Sequence, residues 1–516
     1  MTQTAPGSAE GSAGAQQDAD SSPSEPATSG PSTFDSLDPR TGETVGQHPL
    51  HEREAVHSAV RSAREAQQWW AELGHSGRKQ RLDAWRKLLA RRLDEGAEVI
   101  CAETGKPLDD ARLELVLVVD HLHWAAGRAE KVLGRRSVPS GLLMANQRST
   151  VEYLPFGVVG VIGPWNYPAF TPMGSIAYAL AAGNSVVFKP SELTPAVGEW
   201  LAATFAEVVP EQPVLSVVTG FGETGAALCE SGVDKIAFTG STETGKRVMA
   251  ACSKNLTPVL VECGGKDALI VDSDADLRAA AEAAAWGAMS NAGQTCIGVE
   301  RVYVVEAVAD RFLELVAERA RKLRPGGEPT ANLGPITMPS QVEVIRQHVD
   351  GALERGARAV VGGSDSVRPP FVEPVVLTDV PEDAEAVTEE TFGPSIVVQR
   401  VPDAEEGVRR ANNTRYGLGG TVFSRSRGAE LARRLRSGMV AVNSVISFAA
   451  VPALPFGGVG DSGFGRIHGE DGLREFARPQ AVTRQRFSIP LNPMTFNRSG
   501  RTVRQLVALV RALRGR

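Results

Sequence analysis

The sequence predicts an α/β protein built from two doubly wound α/β domains and a small β arm. Two observations lead to this prediction. From residue 157 onward, short apolar and β-branched runs alternate with helical stretches, a pattern that indicates parallel sheets covered by helices on both faces. At 516 residues the chain is also too long for a single hydrophobic core.

Composition and charge exclude several functional classes. The chain is 42% hydrophobic and 22% charged, with a net charge of -6 and a pI near 5.9, so it lacks the overall basic charge of a nucleic-acid-binding protein. Its five cysteines are scattered and form neither a CxxC pair nor a Cys/His cluster, which predicts a reducing, cytoplasmic location without structural metal or disulfides. Asp120-His-Leu-His123 has no third ligand nearby.

The N-terminal region and the first helices differ sharply in composition. Residues 1–33 contain no Leu, Ile, Val, Phe, Trp or Tyr, so we expect a disordered acidic tail. Apolar residues three and four positions apart then predict helices over 55–70, 81–93 and 110–132. The Pro- and Gly-bearing passage 137–153 is typical of a hairpin arm that pairs subunits. No run approaches the roughly 18 apolar residues of a membrane span.

The first set of strands forms the core of a predicted nucleotide-binding domain. Five apolar runs, each followed by a helical stretch, favour a doubly wound fold. They cover Val158–Ile162, Ser185–Phe188, Leu215–Val218, Lys235–Phe238 and Val259–Val261.

Two glycine-rich loops in this domain could bind phosphate. Gly220-Phe-Gly-Glu-Thr-Gly225 matches G-x-G-x-x-G, but in the third strand unit instead of the first. Gly240-Ser-Thr-Glu-Thr-Gly-Lys246 nearly spells a Walker A loop, yet Arg247 stands where the magnesium-binding Ser or Thr belongs. A P-loop NTPase is therefore the alternative to a dinucleotide-binding protein.

A second α/β set presents the candidate nucleophile. Its strands are predicted near 268–271, 301–305, 396–398, 420–423 and 440–442, and the loop-rich stretch 326–374 should contain a helix over 341–355. Asn291-Ala-Gly-Gln-Thr-Cys296 lies between a helix end and a strand, where a rigid scaffold can position a thiol. A thiol needs an environment that favours the thiolate before it can act as a nucleophile.

Seven short strings together carry a resemblance to the NAD(P)-dependent aldehyde dehydrogenase superfamily, from about Phe34 to Phe487. They occur in the order and spacing of that family. The strings are Gly163-Pro-Trp-Asn-Tyr-Pro168, Lys189-Pro-Ser-Glu192, Phe238-Thr-Gly-Ser-Thr-Glu-Thr-Gly245, Glu262-Cys-Gly-Gly-Lys266, Gly293-Gln-Thr-Cys296, Glu389-Glu-Thr-Phe-Gly-Pro394 and Pro455-Phe-Gly-Gly458.

The resemblance implies a catalytic mechanism. Cys296 would attack the aldehyde to form a thiohemiacetal, whose oxyanion would be bound by the Asn166 amide and the Cys296 backbone N–H. After hydride transfer, Glu262 would activate water to hydrolyse the thioester. Coenzyme A-dependent relatives lack a base at this position. The residue after the base is usually Leu, and here it is Cys263, which places a second thiol near the site.

The resemblance also implies a cofactor site. Lys189 and Glu192 would hold the adenine ribose, and a carboxylate there favours NAD over NADP because it repels a 2′-phosphate. The remaining residues would contact the pyrophosphate, adenine, nicotinamide ribose and ring: Pro164, Trp165, Gly222, Gly225, Thr239, Gly240, Ser241, Gly245, Glu390 and Phe392.

The predicted substrate pocket is uncharged. Tyr167, Phe170, Ile297 and Phe448 would line it, which favours an aliphatic or aromatic aldehyde. Relatives that oxidise succinate semialdehyde carry Arg at positions that correspond here to Gly174 and Ser290. A dehydrogenase for succinate semialdehyde or another carboxylated aldehyde is the alternative; a coenzyme A-acylating enzyme and a non-catalytic scaffold are further rivals.

The resemblance supplies domain boundaries and an assembly. Residues 34–135 and 156–262, rejoined by about 456–478, would bind NAD, and 263–455 would form the catalytic domain. Residues 136–155 and 479–490 would form the arm of a homodimer or homotetramer. The basic tail 491–516 has six Arg and no acid from Arg498 to Arg516, with apolar residues at helical spacing. It could lie on an anionic membrane or pack on its own or a neighbouring subunit.

Overall fold

The computed structural model describes residues 32–328, 330–488 and 494–515. The predicted tail, 1–33, lies outside these ranges except at its end, where Thr33 already begins a strand. An unpredicted antiparallel hairpin opens the described chain, formed by β1 (Thr33–Leu37) and β2 (Thr44–Pro49). Its strands are short and polar, so the sequence carries little periodic signal for them.

Four helices follow the hairpin. α1 buries one stripe of residues, Val56, Val60, Ala63, Ala66 and Trp70, at the spacing of an amphipathic helix. The predicted helix over 81–93 lies almost entirely within a longer helix that ends at Arg91, and the separate helix that begins at Leu93 was not predicted. The bounds are α1 (Arg53–Glu72), α2 (Gly74–Arg91), α3 (Leu93–Thr104) and α4 (Leu108–Leu133).

A six-stranded sheet confirms the first doubly wound unit. Its five parallel strands lie in the order β7-β6-β5-β8-β9, so the chain reverses direction across the sheet between β5 and β8. The strands are β5 (Val158–Ile162), β6 (Ser185–Lys189), β7 (Leu215–Val217), β8 (Lys235–Thr239) and β9 (Val259–Glu262), preceded by β3 (Arg136–Val138) and β4 (Gln147–Pro155). The helices are α5 (Phe170–Ala182), α6 (Pro195–Val208), α7 (Gly222–Glu230) and α8 (Thr242–Ser253).

A seven-stranded sheet forms the second unit, in the order β12-β15-β16-β11-β10-β17-β18. Every pair is parallel except β12 with β15. Its strands are β10 (Asp267–Val271), β11 (Val299–Val305), β12 (Arg358–Val361), β15 (Val375–Thr378), β16 (Ser395–Val401), β17 (Gly420–Phe423) and β18 (Ala441–Val442). Between β12 and β15 in the chain, β13 (Val367–Arg368) and β14 (Phe371–Val372) pair with each other in a separate two-stranded sheet. The helices are α9 (Leu277–Met289), α10 (Glu306–Ala320), α11 (Pro339–Glu354), α12 (Glu385–Thr388), α13 (Ala404–Ala411) and α14 (Gly428–Ala432).

Both sheets are buried on both faces, as their apolar strands predict. In β10, Leu269 and Val271 pack into one apolar cluster while Ala268 and Ile270 pack into another. In β8, Ile236 and Phe238 likewise face the cluster opposite to that of Ala237. The α/β fold class is therefore confirmed. The stretch 326–374, expected to be loops around one helix, also contains β12, β13 and β14, which were too short to show a period.

The C-terminal part returns to the first sheet and then forms the arm. β19 (Gly463–Phe464) pairs with β9, α15 (Gly469–Glu475) follows, and β20 (Ala477–Gln485) pairs antiparallel with β4 along its whole length. α16 (Gly500–Arg514) buries none of its residues, which excludes docking on its own described chain. No helix among the described residues is long and apolar enough to cross a bilayer.

Candidate active site

Cys296 lies on a tightly constrained loop between α9 and β11. Three successive residues before it, Asn291, Ala292 and Gly293, have φ angles of 53°, 54° and 74°, a conformation that is costly for the two non-glycine residues. The Gln294 side chain ties the loop down, since its Nε2 donates to the carbonyls of Asn291 (2.9 Å) and Pro335 (3.1 Å). The loop therefore fixes the position of the thiol.

Glu262 is the last residue of β9 and is 2% exposed. Neither carboxylate oxygen has a hydrogen-bond partner among the described residues. Burial raises its pKa to about 8, against a smaller lowering effect of Arg466. A carboxyl group with this pKa exchanges a proton readily near neutral pH.

Cys296 and Glu262 line the same small cavity, which has a volume of about 20 Å³. Burial raises the pKa of the Cys296 thiol, and the nearby carboxyl groups of Glu390, Glu262 and Asp267 raise it further. The thiol is therefore protonated at neutral pH, so its attack needs a proton acceptor. Glu262 is the acceptor that the same cavity provides.

Asn166 faces the catalytic loop from the other side. Its Nδ2 donates to the carbonyl of Gln294 at 2.9 Å, which leaves the second amide hydrogen free for another acceptor. The backbone carbonyl of Asn166 accepts from the Asn291 side-chain amide (3.0 Å) and from Lys106 Nζ (2.8 Å). Asn166 and the loop of Cys296 are thus joined directly.

A buried ion pair that the motifs did not reveal holds the segment around Asn166. Lys106 Nζ lies 2.8 Å from Glu114 Oε2, and Glu114 Oε1 accepts the backbone N–H groups of Ala169 (2.8 Å) and Phe170 (3.0 Å). Breaking such a pair leaves an uncompensated buried charge. The available signal was Glu114 itself, a charged residue within the buried stripe of α4.

The predicted cofactor residues cluster at the carboxyl edge of the six-stranded sheet. Pro164 and Trp165 follow β5, Lys189 ends β6 and Thr239 ends β8. The point between β5 and β8, where the strand order reverses, is the usual ligand site of such sheets. Lys189 is buried, and its Nζ lies 3.4 Å from a carboxylate oxygen of the partly exposed Glu192.

Two helix N-termini lie at the same edge. Ser241 caps α8, and its Oγ accepts the Thr244 N–H at 3.3 Å; Gly240 and Gly245 flank it, at a helix end that favours anionic groups. Gly222 begins α7, and a Cβ there or on Gly225 would have no close neighbour. These residues fit a dinucleotide, with a helix N-terminus for the pyrophosphate and open space beside α7.

Glu390 and Phe392 lie on the segment before β16. Glu300 holds this segment, because its carboxylate accepts the backbone N–H groups of Thr391 and Phe392, while Lys266 pairs with Glu300. The ring centroids of Phe392 and Trp165 are 5.6 Å apart, and the two rings are nearly perpendicular. The predicted nicotinamide residues therefore contact the residues that follow β5. Glu390 Oε1 accepts the Gly265 N–H at 3.0 Å.

The predicted pocket residues occupy different places. Phe170 lines the cavity with Cys296. Tyr167 lies beside it, with its hydroxyl 3.1 Å from Thr295 Oγ1, while Ile297 and Phe448 are buried in the apolar cluster against which Cys296 packs. Residues that the motifs did not assign complete the wall, namely Thr171, Cys263, Leu418, Phe456, Ile467 and His468.

No group of His, Cys, Asp or Glu in the described chain could hold a metal ion.

Comparisons with known proteins agree with this geometry. The model of the aldehyde dehydrogenase family matches residues 26–482. The chain is 36% identical over 468 residues to a 4,4'-diapolycopene aldehyde oxidase from Methylomonas sp, covering 90% of this chain and 88% of the relative. It is 37% identical over 454 residues to a Mycolicibacterium smegmatis protein named provisionally as a succinate-semialdehyde dehydrogenase that uses NADP+, covering 86% and 87%.

A solved structure shares the fold. The crystal structure of PnpE in complex with nicotinamide adenine dinucleotide superposes with a TM-score of 0.85 at 33% identity, covering 90% of this chain and 96% of that one. The parallel sheets, the cavity that contains a cysteine and a carboxylate, and these matches indicate an enzyme that oxidises aldehydes with a nicotinamide cofactor. The chain belongs to the aldehyde dehydrogenase family.

Proposed function

We propose that this enzyme oxidises an uncharged aliphatic or aromatic aldehyde to the carboxylic acid, with NAD as the preferred cofactor. One observation carries the proposal. Glu262, buried and without hydrogen-bond partners among the described residues, lines the same cavity as Cys296. A base and a nucleophile in one cavity support both formation and hydrolysis of a thioester.

The first step is attack by Cys296 on the aldehyde carbon. As the C–S bond forms, the thiol proton passes to ionised Glu262, directly or through water, and negative charge develops on the aldehyde oxygen. The second hydrogen of the Asn166 amide is available to that oxygen, because the first is bonded to Gln294. The product is a thiohemiacetal on Cys296.

The cofactor supplies the oxidation. A bound nicotinamide would supply the hydride acceptor that turns the thiohemiacetal on Cys296 into a thioester. Phe392 and Glu390 would position that ring from the segment held by Glu300.

Hydrolysis follows from the environment of Glu262. After Glu262 has released the thiol proton to solvent, the group, with its pKa near 8, can take a proton from water and return it to the departing Cys296 sulfur. The acid is released and the thiol is restored. A base in this position argues against transfer of the acyl group to coenzyme A.

The cavity favours an uncharged substrate. A Cβ on Gly174 would stand 2.8 Å from His468 Nε2 and 2.7 Å from Ile467 Cδ1, so this position has no room for the Arg of enzymes that take carboxylated aldehydes. No Lys or Arg of the described chain lines the cavity, whereas Glu262 does. A second carboxylate would therefore be repelled, which argues against succinate semialdehyde.

Glu192 supports the choice of NAD. Its carboxylate stays close to buried Lys189 at the end of β6, where the adenine ribose would bind. A free 2′-hydroxyl can donate to this carboxylate, while a 2′-phosphate would face its charge.

A panel of aldehydes tests the proposal. The purified enzyme is given alkanals of rising length, benzaldehyde and succinate semialdehyde, each with NAD or NADP, and NADH or NADPH formation is followed. We expect the highest kcat/KM with an uncharged aldehyde and NAD. Highest kcat/KM with succinate semialdehyde would overturn the substrate class.

We also propose that the enzyme is a homodimer or homotetramer assembled through the three-stranded arm β3, β4 and β20. Two features of the arm support this assembly. Most residues of β20 are exposed. Its nine residue pairs with β4 occupy one edge of β20 and leave the other edge available to a strand of another subunit.

α16 is proposed to lie on an anionic membrane surface. Its apolar residues Val503, Val507, Val510 and Leu513 are exposed, and the described residues 499–515 carry only basic charges. An amphipathic helix of this kind binds anionic lipid through its apolar face and its arginines.

A further inference from the structure

His468 stands in the wall of the catalytic cavity and is 1% exposed. Aromatic rings surround its imidazole, with centroids at 5.6 Å for Phe170, 5.5 Å for Phe456 and 5.7 Å for Tyr178. His121 is nearest, with its ring centroid at 4.0 Å. The wall of the cavity therefore contains one buried imidazole, and a second imidazole packs against it.

Neither ring nitrogen of His468 has a hydrogen-bond partner among the described residues. His121 Nε2 lies 3.1 Å from the Ala449 carbonyl, and its Nδ1 has no partner in the same part of the chain. Buried polar groups are nearly always hydrogen-bonded, so His468 offers a hydrogen bond that a ligand in the cavity can complete. The mechanism derived above uses neither histidine.

The imidazoles are neutral. Burial lowers the pKa of His121 to about 4 and the pKa of His468 well below its ordinary value. Because the Ala449 carbonyl accepts from His121 Nε2, the His121 Nδ1 is an acceptor. Neutral His468 has one N–H donor and one bare nitrogen, so it suits a group that can either donate or accept a hydrogen bond.

The backbone and the neighbouring helix are adapted to this histidine. His468 has φ 59° and ψ 167°, a region occupied almost only by glycine. Gly174 on α5 leaves the space that the ring fills, since a Cβ there would lie 2.8 Å from His468 Nε2. The chain thus keeps a polar ring in the wall at a conformational cost.

We propose that His468 is a specificity-determining residue that binds an uncharged hydroxyl group on the aldehyde substrate. This rests on the proposed aldehyde oxidation and narrows its substrate class to hydroxyaldehydes. A carboxylate is disfavoured because the imidazoles are neutral and Glu262 lies in the same cavity. A hydroxyl can donate to the bare nitrogen of His468 or accept from its N–H, and the surrounding rings suit an aromatic hydroxyaldehyde.

The test compares matched aldehydes that differ in one group. The 2-, 3- and 4-hydroxybenzaldehydes are each paired with the corresponding methylbenzaldehyde, and kcat/KM with NAD is measured. For at least one pair, wild type should prefer the hydroxyl compound by about 10-fold or more. His468→Leu should reduce that preference by a similar factor, mainly through KM, and His468→Gln should keep part of it.

Ile467→Val is the matched control, because it alters the same wall without removing a polar group; it should change both members of a pair alike. The proposal is overturned if wild type shows no hydroxyl preference in any pair, a result that needs no variant. It is also overturned if His468→Leu lowers kcat/KM equally for both members, as a role in water activation would. Failure of the proposed oxidation is distinct, since no aldehyde would then produce NADH.

Discussion

A Cβ placed on Gly293 would lie 2.1 Å from the carbonyl carbon of Gly393. The catalytic loop and the segment that carries Glu390 and Phe392 therefore touch through bare backbone. Only glycine permits this contact, since Gly293 also has a φ of +74°. The position of the nucleophile and the position of the proposed nicotinamide residues are consequently set together.

Gly293→Ala should separate these two segments. We expect kcat/KM to fall on the order of 100-fold, because a displacement of about 1 Å near the reacting atoms has that effect. Gly42→Ala is the control: its φ of +77° imposes the same backbone strain, but nothing lies within 4 Å of its Cβ. It should lower Tm slightly and leave kcat/KM unchanged. Wild-type kcat/KM in Gly293→Ala would refute the coupling.

The two chemical steps can be separated by substitution. Cys296→Ser should abolish turnover, because a hydroxyl is a far poorer nucleophile. Glu262→Gln should retain some attack and hydride transfer but lose water activation, so rapid-mixing measurements should show NADH formed in a burst, followed by very slow turnover. Mass spectrometry should find an acyl group on Cys296. The burst should be slower than in the wild type, because Glu262 also accepts the thiol proton.

Cys263→Ser serves as the control for that experiment, because this second thiol lines the same cavity. It should retain most activity. The assignment fails if Cys263→Ser is inactive while Cys296→Ser still turns over, or if Glu262→Gln keeps its normal steady-state rate.

The pH dependence follows from Glu262. Its base form is the ionised one, and burial raises its pKa to about 8, so activity is present above this pH and is lost as the pH falls through it. We expect log kcat/KM to rise with a slope of about 1 below pH 8 and then to level off. The profile of Glu262→Gln should lack this rise below pH 8. A wild-type profile that is flat from pH 6 to 9 would contradict the shifted pKa.

Cofactor preference should depend on Glu192. Glu192→Ser removes the charge that repels a 2′-phosphate, so the ratio of kcat/KM for NAD to that for NADP should fall by roughly 10-fold or more. Glu207→Ser, which removes an exposed carboxylate at the far end of α6, should leave the ratio unchanged. Equal use of both cofactors by the wild type would count against the assignment.

Membrane binding can be measured by sedimentation. The full-length protein should sediment with anionic vesicles at low salt, be released at high salt and ignore neutral vesicles. Val507→Asp, within the exposed apolar face of α16, should abolish the effect. If this variant instead changes only the oligomeric state in size-exclusion chromatography, α16 packs on a second copy of the chain.

The sequence predicted the parts of the fold that have a clear hydrophobic pattern. Ten strands of the two main sheets were expected from apolar runs such as Val158–Ile162, because a strand buried on both faces is apolar throughout. The hairpin of β1 and β2 was missed because its residues are polar. The two-residue strands β13 and β14 are too short to show any alternation.

The candidate site was predictable only where short strings carry it. Glu262 and Cys296 belong to such strings, and the structure places both in one cavity. Their unusual pKa values could not be predicted, because burial and neighbouring carboxyl groups cause them. His121 and His468 are 347 positions apart and meet only in the folded chain, so no local pattern could pair them.

The link between the two sheets has a mechanical consequence. Glu262 ends β9 and Asp267 begins β10, so only the four residues 263–266 separate the sheets at this point. Glu262 therefore lies next to this short connection, while Cys296 precedes β11 of the second sheet. A small tilt of one sheet against the other would separate the Glu262 carboxyl from the Cys296 thiol, and every strand pair would remain intact. Activity should therefore depend on the relative position of the two sheets. It should be lost under milder denaturing conditions than those that unfold either sheet.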